Sequence, residues 1–174
     1  MPSADPDSLS LINATLESTA DGLLVVNNEG KIVLFNKKFV AMWKIPEDIL
    51  SSRDDNKAIG FVLDQLKDPN VFLQKVKDLY NQPDAESFDT LEFKDGRVFE
   101  RYSKPQKVGD KTVGRVWSFR DVTDRKRVEH ELKNKIDELG NLTNLTVNRE
   151  VKMAELKQKI AELQNNPGTT NTPA

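Results

Sequence analysis

The stretch Val113-Gly114-Arg115-Val116-Trp117-Ser118-Phe119-Arg120-Asp121-Val122-Thr123-Asp124-Arg125-Lys126 constrains this chain more than any other. Its first half alternates, with Val113, Trp117 and Phe119 on one side and Val116, Ser118 and Arg120 on the other. Period two in β-branched and aromatic residues predicts a strand. Asp121 and Thr123 then offer side chains that can hold the unpaired N–H groups at a helix start, and a charged run with helical spacing comes next. A last strand therefore passes directly into a long helix. Residues N-terminal to this junction build a domain, and residues C-terminal to it lead away from that domain.

Upstream, Asp5-Pro6 has the form of a cap and first helical position, and Leu9, Ile12 and Leu16 share a face, predicting a short amphipathic helix to about Thr19. Asp21-Gly22 breaks it. Leu23 to Val26 and Lys31 to Phe35 flank Asn27-Asn28-Glu29-Gly30 and read as a hairpin. Asn36 is placed to cap a helix carrying Phe39, Met42 and Trp43 on one face, with Pro46 ending it and opening a short helix through Leu50. Ser51 to Asn56 reads as a polar loop and Ala58 to Leu66 as one or two helical turns. Asp68-Pro69 starts a helix striped by Val71, Phe72, Val76 and Leu79. Strands over 87–94 and 97–107 are joined by Asp95-Gly96, and Gly109-Asp110 turns into the last strand. Arg101 and Arg120 are expected on the exposed side, within reach of Asp121 or Glu100 and worth little there. The order predicts an α+β domain: a five-stranded antiparallel sheet with short helices on one face, plus a long C-terminal helical extension.

Composition narrows function. A net charge of −2 leaves no broad basic field for nucleic acid. There is no cysteine, hence no thiolate chemistry, which fits a reducing cytoplasm. No apolar run approaches the roughly 20 residues that span a bilayer, and the polar start predicts no secretory signal. No nucleophile with a base, metal-ligand set or phosphate loop stands out, so no catalysis is expected.

Three segments then carry a resemblance. Ala20-Asp21-Gly22-Leu23-Leu24-Val25-Val26-Asn27 with Gly30-Lys31-Ile32 and Asn36, Asp95-Gly96-Arg97, and Trp117-Ser118-Phe119-Arg120-Asp121-Val122-Thr123 together resemble a PAS sensor domain, the last matching its Asp-x-Thr signature. The resemblance implies a cleft between sheet and helices, a place in signal transduction such as two-component systems, and dimerisation. With the helical spacing after it and a tail that lacks an apolar pattern, the chain divides into a leader and short helix (1–20), a PAS-like domain (21–123), a helical linker or coiled coil (124–164) and a disordered tail (165–174). The family's cysteinyl-flavin chemistry needs a cysteine and its haem subgroup an axial histidine on a cleft-facing helix. The chain has no cysteine, and its single histidine, His130, falls after the sheet. A non-covalent flavin, a small metabolite or no ligand remain. Phe39, Met42, Trp43, Phe72, Val76, Trp117 and Phe119 are the residues expected between helices and sheet, as packed core or as the wall of a ligand cleft. Asp121 and Thr123 are the expected relay.

A continuous helix from Asp124 to about Gln164 would extend roughly 60 Å and be marginal alone in water. Leu139, Leu142, Thr146, Arg149, Met153, Leu156, Ile160 and Leu163 step by three and four, with Leu142, Met153, Leu156, Ile160 and Leu163 as the expected homodimer seam. Val128, Leu132, Ile136 and Leu139 step four, four, three. The two patterns meet beside Gly140, so a break or hinge is expected over Leu139–Leu142, with Leu139 and Gly140 in the relay. His130-Glu131-Leu132-Lys133 resembles the phosphoacceptor box of sensor kinases but lacks its proline, and a solvated helix face accounts for it. The partners expected are a second copy and a separate histidine kinase or response regulator, with no nucleic acid and no membrane. The same fold with an occluded cleft would instead be a ligand-free adaptor.

Overall fold

The computed structural model describes residues 6–165. The leader through Asp5, with the cap expected there, and the tail after Asn165 lie outside the described residues. Contacts divide the chain into one unit to Lys126 and a second from Arg127.

The elements are α1 (Pro6–Glu17), β1 (Gly22–Asn27), β2 (Ile32–Phe35), α2 (Lys37–Trp43), α3 (Glu47–Ser52), α4 (Asp55–Leu63), α5 (Pro69–Asn81), β3 (Ser87–Glu92), β4 (Val98–Val108), β5 (Lys111–Asp121) and α6 (Thr123–Asn165). The five strands form one antiparallel sheet in the order β2-β1-β5-β4-β3, so the last strand lies at its centre. Leu24 pairs with Trp117 and Trp117 with Ser103, while Phe119 pairs with Arg101 and Arg101 with Asp89. These directly opposed residues share the inner face. Trp43 of α2 is the hub of the core. Its ring lies 5.1 Å from Phe93, 5.1 Å from Phe119 and 5.8 Å from Phe99, with two of the three edge-on.

Short helices need fixed ends. Asn36, fully buried, does more than cap α2. Its Oδ1 accepts from the N–H groups of Phe39 and Leu23, and its Nδ2 donates to Leu16 O, Asp21 O and Thr19 Oγ1. One amide thus ties α1, β1 and α2 together. The far end of α2 is held from two places: Arg97, in the β3–β4 turn, donates to Met42 O, and Gln65, just after α4, donates to Trp43 O at 2.9 Å. Gly22 lets α2 lie against β1, for a Cβ there would meet Phe39 Cα and Met42 Sδ at 2.9 Å. Arg115 of β5 is buried and caps α5. It donates to the carbonyls of Leu79, Gln82, Pro83 and Ala85 and to Ser103 Oγ, at 2.9–3.1 Å. Those carbonyls belong to a helix end and the turn after it, where chain partners run out.

Several expectations need correction. Asp54 caps α4, through Asn56 N–H, so the loop expected over 51–56 shrinks to a turn around Arg53, and α4 starts three residues before Ala58. Val71 faces out, since the buried stripe of α5 steps Phe72, Val76, Leu79. Ile12 is exposed and Leu16 half-buried, so this face of α1 is not sealed within the chain. Most consequentially, α6 passes through Gly140 without interruption. A single glycine costs a helix about 1 kcal/mol, too little to break one with favourable residues on both sides. The steps also close: Val128 and Leu142 are two whole heptads apart, with Lys135 rather than Ile136 on the seam. Every described side chain of α6 from Asp124 on is exposed, including Leu142, Met153, Leu156 and Ile160; Leu163 lies beyond the described side chains.

Candidate functional site

Alternation along β4 puts Phe99, Arg101 and Ser103 inward, and along β5 Arg115, Trp117 and Phe119. Facing them are α2, α4 and α5. Between sheet and helices lies a cavity of about 40 Å³, lined by residues that include Phe39, Trp43, Phe72, Val76, Trp117 and Phe119. The structure thus brings together six of the seven residues expected there. Met42, the seventh, is buried against Gly22 and is not among the lining residues.

Three further lining groups, which no sequence spacing marks as a cluster, are Arg101, Asp55 and Tyr80. Arg101 is 1% exposed. The expectation of an outward Arg101 near Asp121 or Glu100 is wrong: its Nε donates at 2.8 Å to Asp89, directly across the ladder. Its guanidinium carbon lies 4.7 Å from the ring centre of Phe72 and 5.3 Å from that of Trp117, so the cation rests between aromatic surfaces. Nη1 of Arg101 and Nε1 of Trp43 are buried without a hydrogen-bond partner. A buried donor left unmade is costly, and two of them beside one small cavity call for an acceptor there. Asp55 is buried and accepts from the Tyr80 hydroxyl. Burial pushes the Asp55 carboxyl above its ordinary value of 3.8, against the lowering effect of the Tyr80 bond, while the Asp54 charge raises it further. Burial and the neighbouring Asp55 likewise hold the Tyr80 phenol above its usual range. Tyr80 stands edge-on to Trp117 at 6.3 Å, joining this pair to the central strand.

About 40 Å³ exceeds the ~10–15 Å³ that one water needs but falls short of the ~150 Å³ of a cavity that takes benzene. Neither an isoalloxazine nor a porphyrin fits the space these side chains leave. Water, or a ligand of few heavy atoms with a hydrogen-bond acceptor, does fit.

At the other end of β5 the expected relay residues Asp121 and Thr123 come together. Asp121 Oδ1 accepts from Thr123 N–H at 2.9 Å and from its hydroxyl at 2.5 Å, and Thr123 Oγ1 accepts from Val98 N–H at 3.0 Å. The β5–α6 corner is thereby tied to the first residue of β4. Arg125 pairs with Glu100 one turn on. Arg120, expected near Asp121 or Glu100, instead makes a two-pronged pair with Asp21, at 2.8 and 3.0 Å, across to the start of β1. Leu139 and Gly140, the other residues expected in the relay, lie further along α6, in the second unit.

The fold is shared with proteins already solved. The PAS domain of BvgS from Bordetella pertussis is 16% identical, with a TM-score of 0.53 over 76% of this chain and 98% of that one. The sensor region of a sensor histidine kinase is 16% identical, with a TM-score of 0.50 over 63% of this chain and 43% of that one, so this chain spans less than half of it. An RNA-binding light-oxygen-voltage receptor is 13% identical, with a TM-score of 0.51 over 79% of this chain and 40% of that one. At such identities the likeness speaks for the fold alone. No curated protein sequence matches the chain. A family model described as the PAS fold matches residues 16–130, which cover the whole sheet and the start of α6, and the chain belongs to that family.

Proposed function

We propose that this PAS domain is a non-catalytic sensory and dimerisation module, in which the state of the interior cavity biases the β5–α6 corner and so the pairing of α6 between two copies. One observation carries the reading: the strand that lines the cavity with Trp117 and Phe119 is the strand that ends in the Asp121–Thr123 corner. Any occupant that shifts those rings acts on a central strand bonded on both edges, and the nearest element free to respond is α6. Such a relay requires two arrangements whose balance the occupant changes. Among the described residues no three His, Cys, Asp or Glu side chains are grouped as metal ligands. No described helix is long and apolar enough to cross a membrane. A separate kinase or response regulator would receive the output.

The size of the cavity favours a second reading, a ligand-free adaptor whose interior is only core. Native mass spectrometry on protein purified without denaturation separates the two. The sensor reading expects an adduct of low mass that is lost in Ala58→Leu, which fills the cavity beside a 4%-exposed position. It also expects Ala58→Leu to change spin-label distances along α6. Wild-type protein of bare mass, with α6 distances identical in Ala58→Leu, would leave only the adaptor.

A further inference from the structure

We infer that two copies of α6 pair antiparallel, with Val128 of one copy beside Ile160 of the other. This rests on the proposal that α6 pairs at all, and it adds the sense and register of that pairing.

The seam bears on orientation first. One heptad frame runs unbroken from Val128 to Leu163 along a helix with no interruption, and all its described side chains from Asp124 on are exposed. Within that frame Lys135 and Arg149 occupy seam positions. In a parallel pair each seam residue meets its own copy. Lys135 would face Lys135, and Arg149 would face Arg149, like charges at the closest approach of the helices. In an antiparallel pair the two seam positions of the heptad face each other instead. Lys135 then meets Met153, Arg149 meets Leu139, Leu132 meets Leu156 and Leu142 meets Thr146. The long cationic stems lie along apolar neighbours and their heads reach water.

The flanks decide between the two more sharply. The charged positions beside the seam are Glu129, Glu131 and Glu138 in the first half of α6, and Lys152, Lys157 and Lys159 with one acid, Glu150, in the second. Parallel pairing sets Glu131 beside Ile136, Glu138 beside Thr143 and Lys152 beside Lys157, leaving no opposite-charge pair and one repulsion on each side. Antiparallel pairing in the register above sets Glu131 beside Lys159, Glu138 beside Lys152 and Glu129 beside Lys157 of the second copy. Each occurs twice by symmetry. One register therefore removes the like charges from the seam and matches three of the four acidic flanks with basic ones, the fourth, Glu150, lying beside Ile136. Flank charges of this kind set partner orientation in helical pairs.

The chain has no cysteine, so single labels can be placed cleanly. His130 and Gln158 sit on the face opposite the seam and lie directly across from each other in the antiparallel register. With spin labels on His130→Cys, two copies should give a separation of at least about 42 Å, the helical rise between positions 130 and 158. Mixing His130→Cys with Gln158→Cys should give a population below about 30 Å. Parallel pairing reverses the two results, which would overturn the orientation and leave pairing intact. A monomer at every concentration, by light scattering, would remove pairing itself. A charge exchange supplies an independent readout. Glu138→Lys should weaken dimerisation roughly tenfold, acting twice per dimer, and Glu138→Lys with Lys152→Glu should restore it. Failure of the double exchange to restore would count against this register, because in the parallel arrangement Glu138 faces a threonine.

Discussion

Replacing Arg115 by methionine tests how the central strand is tied to the helical layer. The guanidinium donates five hydrogen bonds, two of them, to Leu79 O and Ser103 Oγ, wholly buried, and three, to Gln82 O, Pro83 O and Ala85 O, partly so. Methionine keeps most of the stem and loses every donor. The partly exposed carbonyls can take water, whereas the two buried acceptors cannot, at ~1–3 kcal/mol each. Relief from burying the cation offsets part of this. The net loss should be about 2–3 kcal/mol, or roughly 30- to 150-fold in the unfolding equilibrium. Urea unfolding at fixed protein concentration reads it as a lower midpoint with unchanged slope. Hydrogen exchange should quicken first over residues 79–83, where the α5 carbonyls lose their cap. Arg115→Lys, with a compact head that reaches fewer acceptors, should fall between. The loss should persist at 0.5 M salt, since buried contacts are little screened. A loss under about 0.5 kcal/mol, or one abolished by salt, would show that Arg115 is a solvated charge and not the clamp between β5 and α5.

The Asp55 carboxyl has a folded pKa above its ordinary 3.8, so its protonated form favours the fold; that contribution is complete below 3.8 and is lost as pH rises through the raised value. Asp55→Asn should therefore gain stability relative to wild type between pH 3 and pH 7, and a difference that stays flat with pH would refute the assignment. Thr123→Val keeps the shape of the corner but leaves Val98 N–H without its acceptor. It should cost about 1–2 kcal/mol and speed amide exchange at Val98 and the first turn of α6, whereas unaltered exchange there would deny the corner its role. Gly114→Ala puts a Cβ 2.5 Å from Val26 O and 3.1 Å from Asn27 Cα, both backbone, so β1 and β5 must part. A loss of at least about 2 kcal/mol in urea unfolding is expected, and a neutral result would mean the strand pair is looser than this contact requires.

The strands are legible in the sequence because period two and turn chemistry are local. Asp95-Gly96 announces the β3–β4 hairpin, and alternation in β5 places Trp117 and Phe119 inward. Arg101 carries the same signal, standing two residues from Phe99 and two from Ser103, but its charge argues for the outside. What reverses that argument is Asp89, which lies opposite only once the β3–β4 register is set. The Asp55–Tyr80 bond joins residues on different helices, and Arg120–Asp21 spans nearly the length of the domain. Neither has a local spacing to betray it. The residues around the cavity can be named from helical faces and strand phase; its polar groups cannot, because their partners are settled by tertiary packing. At Gly140 the opposite holds. A local weakness suggests a break there, although the continuous frame on either side is already present in the spacing.

The bareness of α6 has a consequence for dosage. If α6 pairs as proposed, a helix of this length, whose described side chains from Asp124 on are exposed, draws its order from the second copy, and the fraction that is fully wound depends on mass action. Dilution should unwind the rod while the sheet stays folded, and a cell making more of this protein would stiffen it without any change in the cavity. On that pairing, abundance becomes an input in its own right, separate from the cavity between Trp43 and Arg101.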